Sequence, residues 1–165
     1  MQEVSQTKPG VNRTEGDHIP WGWVALTVVG LEIALVLSAF AWVAIYSYLI
    51  NPGHDSPYYQ KYAEFSSPVV SVAVGIPYLF FACRWVGRKA GTRAIATGLW
   101  VWFILFSIDA LLILLTVIFV GGLDAYSGAM VALSHATKSL AAYFGGKAAL
   151  RDGLRLRQAV MSDML

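Results

Sequence analysis

Residues 21–50 read WGWVALTVVG LEIALVLSAF AWVAIYSYLI, a thirty-residue run whose only charged side chain is Glu32. A helix needs about 20 predominantly apolar residues to cross the hydrocarbon core of a bilayer, so this run is long enough to span with tilt or with a turn outside the lipid. Trp21 and Trp23 stand at one end and Tyr46 and Tyr48 at the other, as interfacial aromatic belts do. Three further runs follow: Pro68 to about Val86, Ala94–Val120, and Ala125 to about Ala149. The expected fold is therefore all-α, an integral membrane bundle of four transmembrane helices. Residues 1–19 form a polar N-terminal tail, 20–149 the bundle, and 150–165 a basic C-terminal tail.

Composition excludes the main competitors. Of the 165 residues 57% are hydrophobic and 13% charged, against about 25% charged in an ordinary soluble domain. A soluble core of this size cannot hide so much apolar side chain. The 13% aromatic content argues against disorder, and one cysteine argues against a disulfide scaffold. The first twenty residues include Glu3, Glu15 and Asp17 and lack the short apolar stretch of a signal peptide, so the first span is expected to be retained.

Helix boundaries are marked by prolines and glycines. Pro20, Pro57 and Pro68 are read as first-turn prolines, where the missing N–H has no partner anyway, with Ser56 and Ser67 as the caps before the latter two. Asn51-Pro52-Gly53 ends the first span, and Gly121-Gly122-Leu123-Asp124 makes a tight connection between the third and fourth. Residues 57–65 place Tyr58, Tyr62 and Phe65 at helical spacing, which predicts a short helix lying in the outer interface, or else a lid over an opening.

Orientation follows from the basic residues. Arg84, Arg88, Lys89 and Arg93 flank the second connection, Lys147, Arg151, Arg155 and Arg157 the C-terminal side, and Lys8 and Arg13 the N-terminal tail. These ten of twelve share one side of a four-span topology, leaving Lys61 opposite and Lys138 inside a span. The asymmetry predicts an inner-membrane protein with both termini cytoplasmic. The C-terminal arginines then face anionic headgroups, and no nucleic-acid partner is expected. Asn12-Arg13-Thr14 matches a glycosylation acceptor in a tail that never meets that machinery, and Cys83 has no partner for a disulfide. No internal repeat, phosphate loop, paired-histidine motif or nucleophile elbow occurs.

Chemistry is expected at the bilayer midplane, because ionisable residues inside a span are costly and normally face protein or water. Glu32, Asp109, His135 and Lys138 each fall in the middle third of their spans. His135 and Lys138 share a helix face, with Ser134 and Ser139 extending it. Pro77, beside Gly75, frees a carbonyl near the centre of the second span. Two carboxylates against one lysine leave one acid without a basic partner, and in a dry site such a group takes a proton or a cation. The residues Glu32, Asp109, Ser134, His135 and Lys138 are thus the candidate ion- or proton-binding set, with no catalytic residue and no resident metal assigned.

Three functions are compatible with this set. One is a proton- or ion-coupled transporter or channel, in which four helices per chain favour a homo-oligomer. The second is a non-catalytic subunit or assembly factor of a larger membrane complex, whose polar residues act as helix glue. The third is a redox subunit, with His135 as a haem ligand completed by a second copy, or a Glu32–Asp109–His135 metal site. The sequence assigns no cofactor.

Overall fold

The computed structural model describes residues 18–119, 121 and 124–163, apart from the side chain of Arg157. The tail features at Lys8, Asn12 and Arg13, and Gly122–Leu123 of the tight connection, lie outside the described residues. Four long helices make the fold, and no strand occurs among the described residues. Helix α1 spans Trp21–Ile45, α2 Ser56–Gly87, α3 Ala94–Phe119 and α4 Ala125–Ser162. A π-helical turn, Tyr46–Ile50, prolongs α1, and a 3₁₀ turn, Gly91–Arg93, leads into α3.

Three of these helical segments are long and apolar enough to cross a membrane: Trp21–Ile50, Ser56–Gly87 and Gly91–Phe119. Helix α4 is not among them. Its central turns carry Ser134, His135, Thr137, Lys138 and Ser139, which offset the apolar residues around them.

The region 57–65 corrects the expected separate interfacial helix. It is the first part of α2, which runs without a break through Pro68 and Pro77. The cap is Asp55, not Ser56: its carboxylate accepts the Tyr58 N–H at 3.4 Å, and Pro57 sits within the first turn. Ser67 caps nothing, because the chain is already helical there. A proline inside a membrane helix is tolerated when neighbours supply the lost polar contacts. Here the Tyr126 hydroxyl of α4 donates to the Phe65 carbonyl at 3.2 Å, in the turn that Pro68 loosens. The rings of Phe65 and Tyr126 stack beside it, 5.1 Å between centroids.

Aromatic side chains gather at both ends of α1. Trp23 meets Trp85 edge-on, Trp21 meets Trp100, and Lys89 lies 4.0 Å over the Trp23 ring. At the opposite end Tyr46 stacks on Tyr62, and the Asn51 amide donates to the Tyr58 hydroxyl at 2.9 Å. The α1–α2 hairpin is thereby tied just where the π turn widens, with the Asn51 N–H donating to the Tyr46 carbonyl five residues back.

The packed core occupies one half of the bundle. Its buried residues are Val24, Val28 and Leu31 of α1, Leu79, Cys83 and Val86 of α2, Val101 and Leu105 of α3, and Ala141 and Ala142 of α4. All lie toward the end that carries the α2–α3 connection, called here the basic end. Small residues set the closeness of that half. A Cβ on Gly145 would come within 2.5 Å of the Phe80 carbonyl oxygen, and one on Gly98 within 2.8 Å of the Ala142 oxygen. Between α2 and α4, Asp152 accepts from Arg84 at 3.0 Å and from Arg88 at 2.6 Å. These hydrogen bonds hold the Asp152 carboxyl below the usual carboxylate range. Toward the other end the helices part.

Candidate functional site

Three of the four candidate ionisable residues come together where the tight half ends. Asp109 of α3 is the centre: its Oδ2 lies 3.7 Å from His135 Nε2 and 3.9 Å from Lys138 Nζ. Both separations exceed a direct hydrogen bond, so the carboxylate is held by proximity of charge and not clamped. Lys138 is almost wholly buried, at 2% exposure. Its ammonium donates to Ser71 Oγ at 3.0 Å, and the Ser71 and Ser134 hydroxyls lie 3.4 Å apart.

The lysine stem reaches this position through a notch. A Cβ on Gly75 would stand 2.7 Å from Lys138 Cε, so only glycine leaves the room. On α4 the His135 ring sits edge-on to Phe106, 4.9 Å between centroids, and the Trp102 indole N–H donates to the His135 carbonyl at 3.2 Å. With Phe106 against its ring, the imidazole presents Nε2 to Asp109. The tautomer with its proton on Nε2 aims that proton at the carboxylate. Nδ1 is buried and has no hydrogen-bond partner.

Glu32 lies apart. It is half-buried on α1, its Oε1 has no hydrogen-bond partner, and no ion pair joins it to Lys138 among the described residues. It is nevertheless near enough to Lys138 and Asp109 for their charges to act on it. Of the expected set, Asp109, Ser134, His135 and Lys138 therefore form one cluster, and Glu32 faces it from the α1 side. Among the described residues no three His, Cys, Asp or Glu side chains gather to hold a metal ion, so a Glu32–Asp109–His135 metal site has no geometric support.

The cluster is the floor of a vestibule of about 650 Å³ between the parted halves of α2, α3 and α4. Asp109, His135, Lys138, Ser71 and Ser134 line its deep end. Glu64, Thr116 and Ser127 line it toward the end bearing the α1–α2 and α3–α4 connections. That end carries Asp55, Glu64 and Asp124 against the single Lys61, so the approach to the cluster is acidic. Asp124 also caps α4. The Ser127 N–H donates to it at 2.8 Å and the Ser127 hydroxyl at 3.1 Å, which holds its carboxyl below the usual range. Below the floor, the close-packed half closes the bundle.

Ser71 was not foreseen as part of the site. A hydroxyl in a span usually bonds its own helix, as Thr27, Ser38 and Ser107 do here with the carbonyl four residues back. Ser71 differs only in having Lys138 opposite. No protein-family model matches the chain, and no curated protein or solved structure matches it. The fold is all-helical, with three helices long and apolar enough to cross a membrane, as in a membrane protein; the reading of its function rests on the cluster.

Proposed function

We propose that the chain is a four-span, proton- or cation-coupled inner-membrane protein with both termini cytoplasmic, working as a homo-oligomer or with partner membrane subunits. The observation that carries this reading is a buried lysine 3.9 Å from the Asp109 carboxylate, at the deep end of a vestibule lined by α2, α3 and α4. In this reading α4 is the fourth span, its polar face turned to the vestibule. The acidic approach concentrates cations and protons at the open end.

The cycle uses the charge count. With Asp109 ionised, Lys138 is its counter-ion, and Glu32 carries the proton or cation that balances the site. A proton arriving through the vestibule passes by way of His135, the group adjoining Asp109, onto the Asp109 carboxylate. Lys138 then loses its partner and turns to Glu32, which releases its own proton or cation as the lysine arrives. One lysine serves two acids in turn, so the buried site stays balanced throughout. The Gly75 notch lets the lysine stem cross. Pulling Lys138 toward α1 favours a second helix packing, which is the minimum that coupled transport requires.

The test is proton movement in liposomes reconstituted with the purified protein, followed by an entrapped pH dye under an imposed pH or potassium gradient. Wild type is expected to carry protons, and Asp109→Asn and Glu32→Gln, if folded by size-exclusion profile, are expected to abolish it. Retained flux in both folded variants would refute the coupled reading, leaving the cluster as helix glue in a subunit of a larger complex.

A further inference from the structure

The basic end of the α2–α4 seam holds a second cavity, of about 390 Å³, unrelated to the vestibule. Its floor is apolar, formed by Phe80 and Phe144, and its rim carries Arg84, Lys147, Arg151 and Arg155. One acid is present, Asp152, and it is already engaged by Arg84 and Arg88. Lys147 lies 5.7 Å over the Tyr143 ring, and no acid pairs with Arg151 or Arg155 among the described residues. Three cations in excess therefore border one pocket.

Their order along the helices is informative. Lys147, Arg151 and Arg155 recur every four residues, so they form one stripe down α4. On both helices the aromatic stands one turn nearer the membrane centre than the cation: Phe80 before Arg84 on α2, Phe144 before Lys147 on α4. An apolar surface capped by cations at the level where a span leaves the lipid has the polarity of a phospholipid, tails inward and phosphate outward. Arginine adds the bidentate geometry that a phosphate accepts.

We infer that the α2–α4 seam is a binding site for an anionic phospholipid, with an acyl chain against Phe80 and Phe144 and the phosphate held by Lys147, Arg151 and Arg155. The Asp152 bridges keep α2 and α4 in register beneath it, and Arg84 closes the α2 side. The site needs the chain to be a membrane protein, but it stands whether or not the midplane cluster couples protons.

The experiment is native mass spectrometry and thermal unfolding of the full chain in nanodiscs of phosphatidylcholine alone or of phosphatidylcholine with phosphatidylglycerol. Wild type is expected to retain phosphatidylglycerol on release from the disc and to unfold at a higher temperature in the mixed disc. In the Arg151→Gln/Arg155→Gln variant retention is expected to fall by on the order of tenfold and the thermal difference to vanish. Arg93→Gln, a basic residue of the α2–α3 connection outside the pocket, is expected to behave as wild type. Three results overturn the inference: equal retention of both lipids by wild type, equal loss in Arg93→Gln (diffuse surface charge), or stabilisation by millimolar inorganic phosphate in phosphatidylcholine discs (a site for free phosphate).

Discussion

Lys138→Met isolates the central ion pair. The lysine side chain is 3% exposed and Asp109 25% exposed, with 3.9 Å between Nζ and Oδ2. Methionine keeps the length of the stem and removes the charge, which leaves the Asp109 carboxylate facing only His135. Removing one partner of a fully buried pair costs about 3–5 kcal/mol. A quarter-exposed carboxylate at the floor of a vestibule retains some solvation, which puts the expected loss near the lower end, about 3 kcal/mol, or roughly a hundredfold in the folded-to-unfolded ratio. Asp109→Asn added to Lys138→Met removes the stranded charge and keeps the shape, so most of that loss should return. Glu32→Gln added instead should return little, because Glu32 has no ion pair with the lysine in this packing. SDS-driven unfolding of the purified protein in mild detergent, followed by far-UV circular dichroism, measures all four proteins under one protocol. Equal rescue by the two carboxylate variants, or rescue by neither, would refute the pairing and with it the assignment of Lys138 to Asp109 in the resting state.

Gly145→Ala places a methyl 2.5 Å from the Phe80 carbonyl oxygen and should cost about 1–3 kcal/mol, whereas Gly128→Ala meets nothing within 4 Å and should be neutral or slightly stabilising; similar costs in the same unfolding assay would contradict one-sided packing. Asp152, its carboxyl lowered by Arg84 and Arg88, contributes stability that is full above its ordinary value near pH 4 and is lost as pH falls through the lowered folded value. The stability gap between wild type and Asp152→Asn should accordingly be constant from pH 5 to 8 and shrink below about pH 4, and a gap unchanged at pH 3 would exclude the ion pair as its source. For topology, cysteines introduced at Ser56 and Thr92 in a Cys83→Ser background should label from opposite faces with an impermeant thiol reagent, and labelling of Thr92→Cys from outside intact cells would reverse the orientation.

What was legible in the sequence, and what was not, divides by the kind of information each feature needs. Apolar runs need only composition along the chain, which is why 21–50 and 94–119 stand out as spanning helices. Depth needs only the rise per residue, and counting it brought Asp109, His135 and Lys138 to one level. Azimuth needs the neighbours. Glu32 has the right depth but lies on the α1 side of the lysine, and nothing in the periodicity of an almost wholly apolar helix says which face meets α2. Ser71 was lost for the same reason. At Pro68 a proline reads as a first turn by the rule for a helix in water, but α2 is one continuous helix through it, with the Tyr126 hydroxyl bonded to the Phe65 carbonyl in the turn before.

The glycines explain why the site lies where it does. Gly87, Gly98, Gly145 and Gly146 are the positions where an added Cβ would strike another helix at under 3 Å in the packed half, and all belong to the basic end. From Ser56 to Val74 of α2, and from Leu99 to Phe119 of α3, there is no glycine at all. In the corresponding half of α4 only Gly128 occurs, with open space around it. The close helix approaches that these glycines mark are confined to one half of the bundle, and the vestibule opens beyond them. Gly75 is the first glycine of α2 after that glycine-free stretch, at the boundary, and it admits the Lys138 stem. The ionisable residues sit at the same boundary, at the last level where three helices are still within reach of one another and the first that the vestibule exposes. A charge one turn deeper would be sealed in the close-packed core, and one turn higher it would be solvated at the vestibule wall and exert little force on the helices. The proposed coupling needs a charge at this level, where a change of one proton can act on the packing itself.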